Sequence, residues 1–260
     1  MASKLPLILL PPSEGKAAGG DGPPWARGSL TIDLDTQRRT VIRALAEAVK
    51  GDETTRAKLL DVKGKALAAA TAANRALAKT PTLPAIERYT GVLYDALDHR
   101  SLSAAHRRRL DASVVIFSGL WGAVTPADPI PDYKLKMGAA LAPLGKLSTW
   151  WREPLSAQLT ELAAGRHVWN LLPNEHAAAW DPPAALEQWT VRFLQRRNGE
   201  LTTVSHDNKS LKGELVRFLL DNPTAEPADL AGWRHPAGHR LDRKLTEQRG
   251  SLTVLSLVKR

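Results

Sequence analysis

Apolar runs along the chain predict a set of strands. The continuous runs Leu5–Leu10 and Val114–Phe117 are typical of strands that are buried on both faces. His167–Leu172 predicts a third strand, and the alternating segment Ser251–Val258 predicts a final one. Two further segments predict a hairpin around Asn198-Gly199, a dipeptide that favours tight turns. They are Thr190–Leu194 and Leu201–Val204.

Helical periodicity separates these strands. Apolar residues recur at helical spacing in four segments, which are residues 36–50, 55–79, 149–164 and 211–220. Residues 84–112 predict two further helices joined by Asp98–Leu102, with Ser103 as the N-cap of the second. A helix pair of this kind resembles a helix–hairpin–helix module, although the connection lacks the glycine hairpin of typical members.

The order of these elements predicts an α/β or α+β fold with a mixed central sheet flanked by helices. No repeat and no low-complexity linker divides the chain, so a single domain over residues 1–260 is expected. The hydrophobic fraction of 43% and the charged fraction of 24% are those of an ordinary globular protein. The helix–hairpin–helix-like unit is expected at about 84–112.

Composition excludes several kinds of site and location. The sequence has no cysteine, which excludes disulfides, thiolate nucleophiles and cysteine-ligated metals. The seven histidines show no metal-ligand spacing, so neither a metal nor a cofactor is expected. No apolar run is long enough to cross a bilayer, and Leu5–Leu10 is too short for a signal peptide. A cytoplasmic monomer without membrane contact is therefore expected.

The charge balance points to an anionic partner. Thirty-six Lys and Arg against 27 Asp and Glu give a formal net charge of +9, and such an excess attracts polyanions. Arg100, Arg107, Arg108 and Arg109 concentrate around the second helix of the 84–112 unit. A solvated basic helix without a partner explains the same pattern, so both interpretations stay open.

Polar loops follow three of the predicted strands. They are Pro11–Lys16, Ser118–Lys136 and Asn170–Glu175, and loops at strand ends are where α/β proteins usually build sites. Lys16 is a candidate anion ligand, but Ser13–Lys16 lacks the spacing of a phosphate-binding P-loop, and an exposed turn lysine is the simpler interpretation. In an extended segment Lys134 and Lys136 lie on one face.

Several motifs, in this order, resemble those of the YaaA peroxide-stress-response family. The resemblance spans nearly the whole chain and implies a single α/β domain around a positively charged cleft with a helix–hairpin–helix-like element. It also implies binding of double-stranded DNA with little sequence preference, and a role in limiting iron-driven damage under peroxide stress. The motifs are Pro11–Lys16, Tyr89–Gly91, Ser118–Gly122, Pro131–Gly138, Trp150-Trp151, Asn170-Leu171, Glu175-His176 and Lys209–Gly213.

The residues carried over by position are Lys16, Lys65, Tyr89, Ser118, Tyr133, Lys136, Asn170, Glu175, Lys209 and Lys212. Lys212 stands where the family segment has arginine, which removes a planar, bidentate phosphate ligand. The resulting nucleic-acid-binding candidates are Arg100, Arg107, Arg108, Arg109, Lys134, Lys136, Lys209 and Lys212. They support the first hypothesis, a DNA-binding protein of the peroxide stress response.

The second hypothesis is an enzyme acting on a small anionic or nucleotide-like molecule. A non-specific DNA-binding surface has no need of tyrosine, serine, asparagine and glutamate near strand ends. Glu175 or a lysine would act as the base, and Tyr133 or Asn170 would orient a polar group. The catalytic candidates are Lys16, Tyr89, Ser118, Tyr133, Lys136, Asn170 and Glu175.

Overall fold

The fold is built around one short strand, β1 (Leu7–Leu10), whose four side chains are all buried. The computed structural model describes residues 5–197, 200–204 and 208–259. Within these residues the elements after β1 are α1 (Asp35–Ala48), α2 (Glu53–Leu60), α3 (Gly64–Ala76), β2 (Leu83–Pro84), α4 (Ala85–Arg88), α5 (Val92–Leu97), α6 (Ala104–Ser113), β3 (Val114–Ser118), β4 (Gly122–Val124), β5 (Pro129–Ile130), β6 (Ala140–Leu141), β7 (Gly145–Lys146), α7 (Leu147–Trp150), α8 (Arg152–Ala163), β8 (Val168–Asn170), α9 (Asn174–Ala177), β9 (Gln188–Arg197), β10 (Glu200–Thr203), α10 (Asn208–Asp221), β11 (His239–Leu241), β12 (Glu247–Arg249) and β13 (Leu252–Lys259).

Nine of these strands form a mixed central sheet in the order β11-β13-β9-β8-β1-β3-β4, with β10 paired to β9 and β12 to β13. The five central strands β13, β9, β8, β1 and β3 pair in parallel, and the outer pairings are antiparallel. The prediction of a single-domain α/β fold with a mixed central sheet flanked by helices is confirmed.

The strand predictions agree with the sheet. The continuous apolar runs Leu5–Leu10 and Val114–Phe117 contain β1 and most of β3. All residues of these two strands are buried, as is typical of central parallel strands. The predicted hairpin is present as the antiparallel pair of β9 and β10, in which Glu200 lies opposite Arg197. Its turn, Asn198-Gly199, lies outside the described residues. The short strands β2, β4, β5, β6 and β7 follow no sequence period, since strands of two or three residues have none.

The prediction of one helix over residues 55–79 was wrong. The chain forms α2 and α3, separated at Asp61, which has a left-handed φ of 53°. Asp52 caps α2 by accepting a hydrogen bond from the Thr55 amide at 2.8 Å, three residues before the predicted start. The alanine-rich pattern continues across the break, so periodicity alone did not show it.

The 84–112 segment also has one more helix than predicted. Gly91, with a φ of 105°, separates α4 from α5, and a turn of 3-10 helix at His99–Ser101 precedes α6. Ser103 caps α6 as predicted, its Oγ accepting from the His106 amide at 3.2 Å. No helix in the described ranges is long and apolar enough to cross a membrane.

The helix pair α5 and α10 packs so closely that it requires a glycine. A Cβ atom on Gly213 would lie 2.2 Å from the Leu93 carbonyl oxygen and 2.9 Å from the Ala96 Cβ. This contact explains the glycine in the Lys209–Gly213 motif as a packing residue of α10. It also fixes the first turns of α10, which carry Lys209 and Lys212, against α5.

Replacing Gly213 with alanine is expected to lower the free energy of unfolding by about 1–3 kcal/mol, because the new methyl group meets backbone that no side-chain rotation can move. This loss outweighs the gain of about 1 kcal/mol that alanine usually gives within a helix. Urea unfolding measures the difference. The control is Gly232→Ala, whose Cβ would meet its nearest atom, the Asp229 oxygen, at 3.6 Å. Equal stability of the two variants would contradict the packing argument.

Candidate functional site

Three loops meet where β1, β3 and β8 end. These strands are neighbours and run parallel, so their carboxyl ends lie at the same edge of the sheet. The loops that follow these strands are the three that the sequence predicted to carry polar groups: Pro11–Lys16, Ser118–Lys136 and Asn170–Glu175. Together with α5 and the start of α10 they enclose a cleft of about 470 Å³. Its ionisable lining residues include Glu14, Lys16, Lys134, Lys136, Glu175, His176 and Lys209.

Lys16 is half-buried at this cleft, against aromatic rings. Its Nζ lies 4.4 Å from the centre of the Tyr133 ring and 5.6 Å from that of Tyr89. It donates one hydrogen bond, to the Ser13 carbonyl oxygen at 3.2 Å. Burial lowers the pKa of Lys16 to about 8, against an opposing effect of Asp132. The interpretation of Lys16 as an exposed turn lysine is therefore wrong.

The tyrosine beneath Lys16 belongs to a buried chain of hydroxyl groups. Ser118 Oγ accepts from the amides of Leu120 at 3.2 Å and Trp121 at 3.0 Å, so its own proton is free to donate to Tyr133 Oη at 2.6 Å. Tyr133 Oη lies 2.8 Å from Tyr89 Oη. Burial raises the pKa of Tyr133 to about 12, so the phenol stays protonated. Ser118 is fully buried and holds the turn and Tyr133 in place.

The two lysines of the third loop are paired with carboxylates. Glu14 places one oxygen 3.3 Å from Lys134 Nζ and the other 3.1 Å from Lys136 Nζ. Lys136 also contacts Asp61 at 2.6 Å. These lysines lower the pKa of the Glu14 carboxyl, chiefly through the hydrogen bond from Lys136. The cleft therefore contains an internal anion at the place where two of its cations converge.

Glycines allow these loops to approach one another. A Cβ on Gly119 would lie 2.6 Å from the Lys136 carbonyl carbon, so the strand-end turn at 118–122 needs glycine where residues 135–136 cross it. A Cβ on Gly138 would lie 2.8 Å from Glu175 Cδ, so it would shift this exposed side chain rather than the backbone. Glu175 Oε1 accepts from the Gly138 amide at 2.8 Å. Glu175 is exposed and forms part of the cleft wall.

Sequence comparison gives the family of the chain. The family model described as peroxide stress protein YaaA matches residues 7–245. The chain belongs to the YaaA peroxide stress protein family. The sequence prediction of this family is confirmed.

Curated relatives of the chain carry the name UPF0246. The UPF0246 protein of Streptomyces coelicolor is 42% identical over 257 residues, which cover 96% of this chain and 98% of that protein. One from Corynebacterium glutamicum is 38% identical over 218 residues, covering 82% and 84% of the two chains. One from Bacteroides thetaiotaomicron is 29% identical over 177 residues, covering 65% and 68%.

The structure separates the residues carried over from the YaaA family into three groups. Those that line the cleft are Lys16, Tyr133, Lys136, Glu175 and Lys209. Tyr89 and Ser118 are buried behind Tyr133. The third group comprises Asn170, Lys212 and Lys65, which are not among the lining residues of this cleft.

Asn170 and Lys212 brace the loop that follows β8. Asn170 Oδ1 accepts from the Leu172 amide at 3.2 Å, and its Nδ2 donates to Gln188 at 3.0 Å. Lys212 Nζ donates to the Leu171 carbonyl oxygen at 2.9 Å, and burial lowers its pKa to about 8. Both side chains therefore position backbone. Lys65 is exposed on α3.

The arginines of α6 lie away from the cleft. Arg109 donates to the Leu220 carbonyl oxygen at 2.7 Å, at the last turn of α10, whereas Lys209 at its first turn lines the cleft. With a rise of 1.5 Å per residue, about 16 Å of helix separates these ends. Arg100, Arg107 and Arg108 are exposed. The basic residues thus form two sets, one at each end of α10.

The sequence interpretation left three residues of this site out of its candidates, although it named His176 within the Glu175-His176 motif. Glu14 was passed over as part of a loop motif, although a carboxylate two residues before a candidate anion-binding lysine is a visible signal. Arg88, which is fully buried, donates to carbonyl oxygens of Ala17, Gly19 and Ile130 and fixes the loop after Lys16. His176 lines the cleft with its Nδ1 buried, and burial lowers its pKa to about 4.

The lowered pKa of Lys16 is directly measurable. In protein with isotope-labelled lysine side chains, we expect the Lys16 resonance to titrate with a midpoint near pH 8, charged below and neutral above. Burial against the tyrosine rings is the cause, since it disfavours the ammonium form. Lys16→Arg removes the resonance and so assigns it. A midpoint near the ordinary lysine value of about 10.4 would show that water reaches the amine freely.

Proposed function

We propose that this protein acts in the response to peroxide by binding double-stranded DNA with little sequence preference. The observation that carries the proposal is the cluster of exposed arginines on and before α6. Arg100 and Arg107 are close enough to His99 that both help to lower its pKa, together with burial, which is the larger cause. Among the ion pairs of the described residues none involves Arg100, Arg107 or Arg108.

The separation of the two basic sets favours a long ligand. A duplex carries one negative charge for about every 1.7 Å of its axis, so it extends well beyond the roughly 16 Å between the two ends of α10. Lys209 at one end and the arginines at the other can then contact the same backbone. Phosphate contacts of this kind position a duplex without selecting its sequence. The helices α5 and α6 would act as the helix–hairpin–helix-like element that the family resemblance implies.

The arginine cluster gives the first test of DNA binding. The double variant Arg107→Glu/Arg108→Glu should weaken duplex binding equally for unrelated sequences. It should also reduce the slope of log affinity against log salt by about 0.9 for each phosphate that the variant no longer neutralises. Fluorescence anisotropy with two unrelated duplexes over a series of salt concentrations measures both effects.

The control variant changes the net charge by the same amount, but on another surface of the protein. Arg39→Glu/Arg43→Glu reverses two exposed arginines of α1, which packs against α3 rather than α10. It should leave the salt slope unchanged. Equally weakened binding in both double variants would mean that net charge alone attracts DNA. Undetectable duplex binding by the unaltered protein would exclude the proposal.

The cleft supports a second candidate function, an enzyme that acts on a small anionic or nucleotide-like molecule. Lys16 with its lowered pKa, Tyr133 and Glu175 line a volume suited to such a ligand, at the strand edge where α/β proteins bind substrates. Lys134, Lys136 and Lys209 surround the same space. Lys16, Tyr133 and Glu175 have no evident use in a non-specific contact with a duplex.

Glu14 provides a test that concerns the cleft alone. Glu14→Gln should raise the affinity for inorganic pyrophosphate by about two- to fivefold, because it releases Lys134 from a partly exposed ion pair and leaves Lys136 with Asp61 as its one carboxylate partner among the described residues. Isothermal titration calorimetry measures the change. Glu161→Gln, an exposed substitution of the same charge on α8, should have no effect. Unchanged or weaker binding in Glu14→Gln would show that the cleft is not an anion site.

A further inference from the structure

The backbone that carries Lys16 is held on both sides. Residues Lys16 and Tyr89 form an isolated antiparallel bridge, flanked by hydrogen bonds from Ala17 to Arg88 at 2.8 Å and from Thr90 to Gly15 at 3.1 Å. The Arg88 guanidinium donates to the next carbonyl groups of the same loop. Lys16 therefore projects from a fixed strand-like segment, although the surrounding sequence is rich in glycine and proline.

The surroundings of the Lys16 amine differ from those of Lys134 and Lys136, which line the same cleft. Lys134 and Lys136 each contact a carboxylate, whereas no ion pair of the described residues involves Lys16. Its Nζ instead faces the rings of Tyr133 and Tyr89 and one carbonyl oxygen. A lysine that is desolvated in this way loses its proton at a lower pH than an ordinary lysine, here near pH 8, and the neutral amine is a nucleophile.

The amine also faces a cavity with room for a reactant. The cleft of about 470 Å³ is lined by Lys16 together with the apolar residues Val92 and Leu93. Lys134, Lys136 and Lys209 line it as well, so an anionic group of a bound molecule has cations to meet. A molecule that occupies the cleft would thus meet both cations and the Lys16 amine.

We propose that Lys16 is a nucleophilic residue that forms a Schiff base with carbonyl compounds carrying a carboxylate or phosphate group. The amine lone pair attacks the carbonyl carbon, a C–N bond forms, and the carbonyl π electrons move to oxygen. The two protons of the neutral amine pass to that oxygen, which leaves as water, so no oxidant or other reactant is needed. The choice of an anionic carbonyl compound rests on the second candidate function; the reactivity of Lys16 does not.

Reductive trapping tests the proposal with the full-length protein. 4-Carboxybenzaldehyde and 4-carbamoylbenzaldehyde have nearly the same shape, and only the first is charged. With sodium cyanoborohydride present, we expect one label per chain, located on Lys16 by peptide mass mapping of the unaltered protein. The rate of labelling should rise as the pH increases through about 8, as the amine loses its proton.

Matched variants separate Lys16 from ordinary surface lysines. Lys16→Arg keeps the charge and should reduce labelling at least about tenfold, and Lys65→Arg, at an exposed position of α3, should leave it unchanged. Label spread over many lysines in the unaltered protein would overturn the proposal, whether or not Lys16→Arg folds. So would a rate that rises only near the ordinary lysine pKa.

The two aldehydes distinguish failure of this proposal from failure of the anion site. Labelling of Lys16 that is about tenfold faster with the carboxylate than with the amide supports both the nucleophile and the anion-binding cleft. Labelling that is confined to Lys16 and equally fast with both aldehydes supports the nucleophilic role of Lys16 and counts against the anion site. Preference for the charged aldehyde with label on Lys134 or Lys136 would support the anion site and overturn the role of Lys16.

Discussion

The parallel pairing of β1 with both β3 and β8 is the constraint on which the site depends. Leu7–Leu10 are buried on both faces, and their register places the ends of three strands side by side. A one-residue shift of β1 would move its buried side chains to the opposite faces and displace the loop after it. Burial of β1 therefore fixes where Lys16 emerges relative to Tyr133 and Glu175.

Two buried arginines hold the irregular chain that surrounds this edge. Arg38 donates to carbonyl oxygens of Ile32, Trp121 and Ala123, and contacts Asp35 at 3.2 Å. Arg88 does the same for the loop that follows Lys16. A buried guanidinium is costly unless its donors are satisfied, and carbonyl groups of irregular segments need donors in turn. Each arginine therefore ties irregular loop segments to a short strand, Arg38 to Ala123 of β4 and Arg88 to Ile130 of β5.

Part of the fold could be predicted from the sequence, and the contacts of these two arginines show why the rest could not. Apolar runs and an N-cap serine depend on neighbours in the chain, so β1, β3 and the start of α6 were predictable. The break between α2 and α3 lies within an alanine-rich pattern that continues across it, and the roles of Arg38 and Arg88 depend on residues distant in sequence. Within the site, three polar loops at strand ends predicted the cleft. The position of Glu14 beside Lys16 was a visible signal, but its pairing with Lys134 and Lys136, more than 100 residues away, was not.

The net charge of +9 overstates the positive charge that a ligand meets. Lys134 and Lys136 are neutralised by Glu14 and Asp61, and Lys212 donates to a backbone carbonyl. An anion that binds Lys134 and Lys136 must first displace the Glu14 carboxylate, because both of its oxygens already face these two lysines. Lys16 differs, since its amine lies against two tyrosine rings and makes no ion pair within the described residues, with Asp132 and Glu14 acting on it only at longer range. The paired lysines are therefore suited to exchange one anion for another, and Lys16 is suited to bond chemistry that a fully solvated ammonium group does not perform.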